Sequence, residues 1–177
     1  MSQIPSSVWT TVTAPFHFGL SNATELGSPG VCLNSPMWPA EEVARCPLPT
    51  TYCPISPNSV GAGAELSWTG STRITDNDFH LECAGLPSSQ FGLFYYGPTQ
   101  VQVSFGDGYR CVGGITHRFT AVSTAAATQW VDFTNPPTSS GEITAASTWN
   151  FQFWFRDPAA NATGFNLSDG LEVTFCP

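Results

Sequence analysis

The chain contains no lysine. Thirteen carboxylates stand against five arginines, for a formal net charge of -8 at pH 7, and charged residues make up only 10% of its 177 positions. A surface so poor in positive charge lacks the basic footprint that docks on phosphates or anionic lipid, so neither nucleic acid nor the membrane is expected as a partner. Schiff-base chemistry and a phosphate-loop ammonium both need lysine and are excluded with it. No stretch approaches the roughly eighteen consecutive apolar residues of a spanning helix, which leaves no expectation of membrane insertion. Residues 1–10 lack the basic start and apolar run of an export leader, so a chain working outside the cell is expected to have lost its leader already. Gly-x-Ser-x-Gly, His-Glu-x-x-His and Gly-x-Gly-x-x-Gly are all missing. The scattered His17, His80 and His117 therefore read as ordinary strand histidines, since a triad is recognised by geometry rather than spacing.

What is present points to a folded, exported β-protein. Apolar residues are 41% of the chain and aromatics 13%, enough buried area to offset chain entropy despite the low charge. The length suits one well-buried core with an extension. Six cysteines, Cys32, Cys46, Cys53, Cys83, Cys111 and Cys176, form no Cys-x-x-Cys pair. This favours a disulfide framework over a zinc or redox site, and with it a secreted or cell-surface location. The residue spacing leaves all of the roughly fifteen possible pairings open.

The organising stretch is Ser147-Thr-Trp-Asn-Phe-Gln-Phe-Trp-Phe-Arg-Asp157, where Trp149, Phe151, Phe153 and Phe155 recur at every second position. Side chains alternate across a strand, so these form a buried row while Asn150, Gln152, Trp154 and Arg156 face the other way. Alternation or apolar runs also predict strands at 65–69, 72–75, 79–83, 91–96, 100–105, 109–112, 115–122, 130–133 and 171–176, with short ones at 8–13 and 16–18. The run at 91–96 suits a strand buried on both faces. The Asp107-Gly108 pair predicts a hairpin between residues 101–105 and 109–112. Residues 28–57 hold seven of the fifteen prolines and three of the six cysteines, which argues against regular sheet there. Residues 39–45 alone hint at helix, with proline first, acids next and arginine last. The expected architecture is all-β, a two-sheet antiparallel β-sandwich of jelly-roll-like character over residues 64–177. A Pro/Cys-rich irregular segment with one N-terminal strand occupies 1–63.

Trp154 breaks an otherwise polar outer row. With Tyr95, Tyr96, Trp38 and Trp68 it offers flat apolar faces for sugar rings, while Asn150, Gln152, Arg156 and Asp157 would orient a ligand by hydrogen bonds. The plainer alternative for each aromatic is core filling. Asp76-Asn77-Asp78 and residues 166–169, with Asp76, Asp78 and Asp169 as the ligands, place hard oxygens in turn-like sequence, the chemistry calcium uses, although Asp and Asn populate turns for their own backbone bonds. Two carboxylates flanking a cleft would suffice for a secreted hydrolase, yet no spacing selects a pair. Asn22-Ala-Thr24, Asn161-Ala-Thr163 and Asn166-Leu-Ser168 fit the glycosylation acceptor pattern.

Four motifs resemble a known family: Gly85-Leu-Pro-Ser-Ser-Gln-Phe-Gly-Leu-Phe-Tyr-Tyr-Gly97, Val103-Ser-Phe-Gly-Asp-Gly-Tyr-Arg-Cys-Val-Gly-Gly114, Ser147 through Asp157-Pro158, and Gly164-Phe-Asn-Leu-Ser-Asp-Gly170 with Phe175-Cys-Pro177. Together they are similar to a β-domain that recurs, often at the C-terminus, in secreted and surface proteins of large-genome environmental bacteria. The resemblance covers residues 64–177 and implies class and compartment, with no settled activity to carry over. It further implies a Cys111–Cys176 disulfide, with Cys83 then paired among Cys32, Cys46 and Cys53. The expected function is a non-catalytic extracellular module for adhesion, carbohydrate binding or anchoring, with a glycan or cell-surface protein as partner. The alternatives are a self-associating subunit of a fibre or surface layer, forming homo-oligomers or homopolymers, and a secreted hydrolase.

Overall fold

The computed structural model describes residues 46–160 and 163–177. The strands expected at 8–13 and 16–18, the helical turn at 39–45, His17, Trp38, Cys32, Asn22 and Asn161 lie outside the described residues. The described residues form eleven strands: β1 (Thr50–Tyr52), β2 (Glu65–Gly70), β3 (Phe79–Ala84), β4 (Phe91–Gly97), β5 (Thr99–Phe105), β6 (Gly108–Gly113), β7 (His117–Arg118), β8 (Val122–Ser123), β9 (Thr128–Val131), β10 (Thr148–Arg156) and β11 (Phe165–Thr174). No α-helix occurs among the described residues.

The expected all-β antiparallel sandwich is the architecture observed. The larger sheet has the order β1-β11-β10-β4-β7, with β8 also paired to β4, and the smaller has the order β2-β3-β9. Between them the β10 row Phe151, Phe153 and Phe155 is fully buried with Phe79, Leu81, Phe94 and Tyr96. Leu171, Val173 and Phe175 of the last strand and its end complete this layer. The rings interlock, with Phe94 and Phe153 at 4.5 Å between centroids and Phe79 meeting Phe175 edge-on at 5.4 Å. β4 is buried on both faces only in its second half: Phe94 and Tyr96 face the sandwich core and Tyr95 lies under a third layer, whereas Phe91, at the strand's start, is 63% exposed.

That third layer is the β5–β6 hairpin, a separate two-stranded ribbon laid against the outer face of the larger sheet. Its turn is the expected one, but the positive φ falls on Gly106, at 64°, rather than on Asp107. Glycine at the first central position is the signature of a type II′ hairpin. A side chain at Gly106 would also strike the Phe165 ring, so the turn can close over β11 only with glycine there. Val103 and Phe105, the apolar members of the β5 alternation, are 43% and 46% exposed, because β5 forms the outer margin of the ribbon.

β11 is longer than expected, and residues 166–169, read as turn-like from their polar composition, lie inside it. A bulge makes this possible: pairing with β10 steps from Gln152↔Gly170 to Trp154↔Leu167, so Ser168 and Asp169 together oppose Phe153. Their polar groups are used internally. The Phe153 N–H donates to Ser168 Oγ at 3.0 Å, and Asp169 accepts from the Leu66 N–H at 2.7 Å, stitching β11 to β2 of the other sheet. Burial pushes the Asp169 carboxyl up to about 6, against the lowering effect of the Leu66 bond and with help from nearby Glu65. This value lies above the unfolded one of about 3.9. The stability tied to this group is therefore complete below about pH 4 and is lost as pH rises through about 6. Asp169→Asn keeps the acceptor for Leu66. It is expected to raise the melting temperature at pH 7 and to flatten the wild-type gain between pH 7 and pH 5; a profile parallel to wild type contradicts this.

Three further differences concern the connections. Residues 72–75 form no strand: a 3-10 turn at Ile74–Asp76 follows Arg73, which makes only an isolated bridge to Cys176. The alternating run 115–122 breaks into β7 and β8, which pair with the two ends of β4. In the proline-rich segment, Thr50–Tyr52 pairs with β11 as an edge strand, because its prolines at 47, 49, 54 and 57 fall outside the paired residues.

The disulfides differ from the pairing implied by the resemblance. Cys111 and Cys176 are not joined to each other: Cys46 bonds Cys176, and Cys53 bonds Cys111. Cys176 closes the end of the sandwich beside Arg73, whereas Cys111 lies in the hairpin, on the far side of the larger sheet. Cys83 is buried and unpaired among the described residues.

Candidate functional site

A row of paired residues crosses the outer face of the larger sheet: Tyr52 on β1, Gly170 on β11, Gln152 on β10, Tyr95 on β4 and Arg118 on β7. The hairpin covers the middle of this row. Gln152, expected to face a ligand, is fully buried and fastens the hairpin to the sheet. Its Nε2 donates to Tyr109 O at 2.8 Å and Ser168 O at 2.7 Å, and its Oε1 accepts from the Cys111 N–H at 2.9 Å and from the Tyr95 hydroxyl. All four hydrogen-bonding positions of the amide are thereby filled. The Cys53–Cys111 disulfide and a bond from Tyr52 Oη to Cys111 O at 3.0 Å hold the same strand of the ribbon. Gly170 has no side chain to obstruct the Tyr52 ring lying across it.

Asn150 is likewise corrected: it is 3% exposed beneath the start of the hairpin, so it cannot contact a ligand. Tyr96 belongs to the inner face, fully buried, with its hydroxyl donating to Gly141 O at 2.6 Å. Asp157 is buried and accepts from the Ser59 N–H at 2.8 Å. Arg156 is exposed at the end of β10, two residues beyond Trp154, and does not line the pocket that Trp154 floors. Trp68 stacks on Phe79 at the sandwich core.

Where the hairpin ends, the outer face opens into a pocket of about 270 Å³ lined by Leu93, Tyr95, Phe105, Arg110, Thr116, Arg118, Trp154 and Leu167. The structure thus keeps Trp154 and Tyr95 from the expected set and adds six residues. Trp154 pairs with Leu93 on one side and Leu167 on the other, which places the indole on the floor. Its ring packs at 5.7 Å on Phe165, which packs at 5.2 Å on Phe105, so one wall is a string of aromatic faces. Arg110 enters from β6 and Arg118 from β7, both exposed. Burial pushes the Tyr95 phenol up, and the Arg110 and Arg118 charges oppose that rise. Neither arginine forms an ion pair or a side-chain hydrogen bond among the described residues. The lining contains no carboxylate, histidine or cysteine. A shallower groove of about 500 Å³, which includes Trp130, Gln129 and Asp132, adjoins on the other side of Arg118.

The calcium candidates do not converge. Asp169 bonds Leu66 near the start of β2, whereas Asp76 and Asp78 follow its end, roughly 13 Å away at the rise of a strand. Asp76 accepts from Ser71 Oγ at 2.6 Å, and Asp78 lies 3.2 Å from His80 Nε2. No group of three or more His, Cys, Asp or Glu side chains among the described residues is placed to hold a metal ion. His117 is buried, with Nδ1 2.6 Å from Thr138 Oγ1. Asn166 is fully buried and donates to Pro57 O at 3.0 Å, which makes it inaccessible as a glycosylation acceptor. No protein-family model, no curated protein and no solved structure matches the chain.

Proposed function

We propose that the chain is a non-catalytic extracellular binding module whose ligand seat is the Trp154 pocket, with a glycan as the ligand class. The observation that carries this reading is a half-buried indole on the floor of an open pocket, flanked by Tyr95 and Phe105, at the margin of the hairpin that covers the middle of this face. Flat aromatic faces with a few polar groups at the rim are what a sugar ring stacks on. A lining without carboxylate or histidine supports binding over hydrolysis. The two disulfides support an oxidising compartment, as does the resemblance to a β-domain of secreted and surface proteins. A glycan array probed with the wild-type protein and with Trp154→Ala tests it. Signals on a glycan class should disappear in the variant, whose stability falls by only about 1–2 kcal/mol because the indole is partly exposed. Equal array signals from both proteins would refute the pocket.

A second reading, self-association, is favoured by β5. Seven residues long, without charge or proline, the strand pairs only with β6 and leaves its other edge open among the described residues. Natural sheets protect such edges with lysine, proline, short length or a bulge; of these devices β5 has only the irregularity between Gln100 and Val103. In this reading the edge pairs with β5 of a second copy. Sedimentation of the wild type should then show concentration-dependent growth that Gln102→Lys abolishes. A wild type that stays monomeric at every concentration would remove this reading and leave the first untouched.

A further inference from the structure

Arg110 and Arg118 give the pocket a charge opposite to that of the whole molecule. The chain carries a net charge of -8, yet two of its five arginines converge on one aromatic pocket that no carboxylate lines. They arrive from different layers, one from the roof and one from the sheet, so neighbouring residues on one strand do not explain their meeting. In a chain with thirteen carboxylates, neither guanidinium has an acidic partner within 4.0 Å among the described residues. Arginine presents a rigid planar fork that matches carboxylate and sulfate oxygens in pairs, and the adjoining apolar wall lowers the local dielectric. We infer that the pocket takes a sugar ring bearing an anionic group, a carboxylate or a sulfate ester, with the ring on Trp154 and the anion held between Arg110 and Arg118. The inference rests on the binding reading above and narrows it to acidic glycans. Thr116, also on the lining, adds a residue able to donate or accept a hydrogen bond.

Isothermal titration calorimetry on the intact, disulfide-bonded chain tests it with three probes: an oligogalacturonate, whose only anions are carboxylates, a kappa-carrageenan oligosaccharide, whose only anions are sulfate esters, and a neutral galactose oligomer. The expected result is binding of one of the charged probes, which identifies the anion, with the neutral probe much weaker. Arg110→Gln and Arg118→Gln should each weaken that binding about 10- to 100-fold, the scale of a lost charge-assisted pair. Affinity for the charged probe should also fall between 50 mM and 500 mM salt, by roughly the screening expected of exposed charges. Both side chains are exposed, so the melting temperatures of the variants should match wild type. If the neutral probe binds as tightly as the charged ones, and Trp154→Ala abolishes all of it, the anionic assignment is overturned while the binding reading stands. If charged probes bind but Trp154→Ala leaves them unaffected, both fall.

Discussion

Gln152→Leu is expected to destabilise the protein by about 3–5 kcal/mol, although the residue sits in the polar row of its strand. The leucine fills similar volume but strands the Tyr109 and Ser168 carbonyls, the Cys111 N–H and the Tyr95 hydroxyl, all partners of the native amide. Each orphaned buried group costs about 1–3 kcal/mol, reduced where the hairpin can lift and admit water. Hydrogen exchange should consequently accelerate in β5 and β6 before the sandwich core responds. Gln152→Glu separates hydrogen bonding from packing. It keeps the acceptor for Cys111 but turns a second oxygen toward two carbonyls, so it should be worse than leucine at pH 7 and recover in acid as the carboxyl protonates. A loss below about 1 kcal/mol for Gln152→Leu would contradict a sealed layer under the hairpin.

Removing the Cys46–Cys176 disulfide by a double alanine substitution is expected to cost about 5 kcal/mol, by the loop-closure entropy of its 130-residue separation. The Cys53–Cys111 bond, with a separation of 58, should cost about 4 kcal/mol on the same basis. The first loss corresponds to a fall of roughly 10–20 °C in melting temperature for a chain of this size. Cys46–Cys176 has the larger structural reach because it fixes the end of the last strand beside the β2–β3 connection. There, the Cys176 N–H donates to Thr72 O at 3.1 Å, and the Ile74 N–H donates to Cys176 O at 2.8 Å. Non-reducing peptide mapping gives an independent check. Cys176 should be recovered linked to the Cys46 peptide, and a Cys111–Cys176 peptide would contradict the observed pairing.

The sandwich was legible because its strands obey a period of two. Phe151, Phe153 and Phe155 fell on the buried face, Leu171 and Val173 joined them, and Asp107-Gly108 marked the hairpin. Alternation assigns a side chain to a face but does not say what covers that face. Asn150 and Gln152 were therefore expected at a surface that the hairpin in fact seals, while Trp154, two residues further on, lies past its margin. Tyr96 was misplaced for a related reason: in a continuous apolar run, residue types alone do not mark which neighbour looks inward. The strand character of residues 166–169 was hidden by polar residues whose hydrogen bonds are satisfied inside the fold through a bulge. Arg110 and Arg118 stand on consecutive strands that belong to different sheets. Only the docking of the ribbon beside β7 brings them to one pocket, which no local pattern records.

The most direct test of the central claim, that Trp154 is the ligand's seat, is an NMR titration of the indole N–H resonances. The chain has six tryptophans, and the Trp154 signal is assigned by its disappearance in Trp154→Phe. With a glycan found on the array, that resonance should move first and furthest, while those of the core-packed Trp68 and Trp149 stay in place. Movement confined to Trp130, in the neighbouring groove, or a Trp154 signal unchanged at saturation would contradict the account.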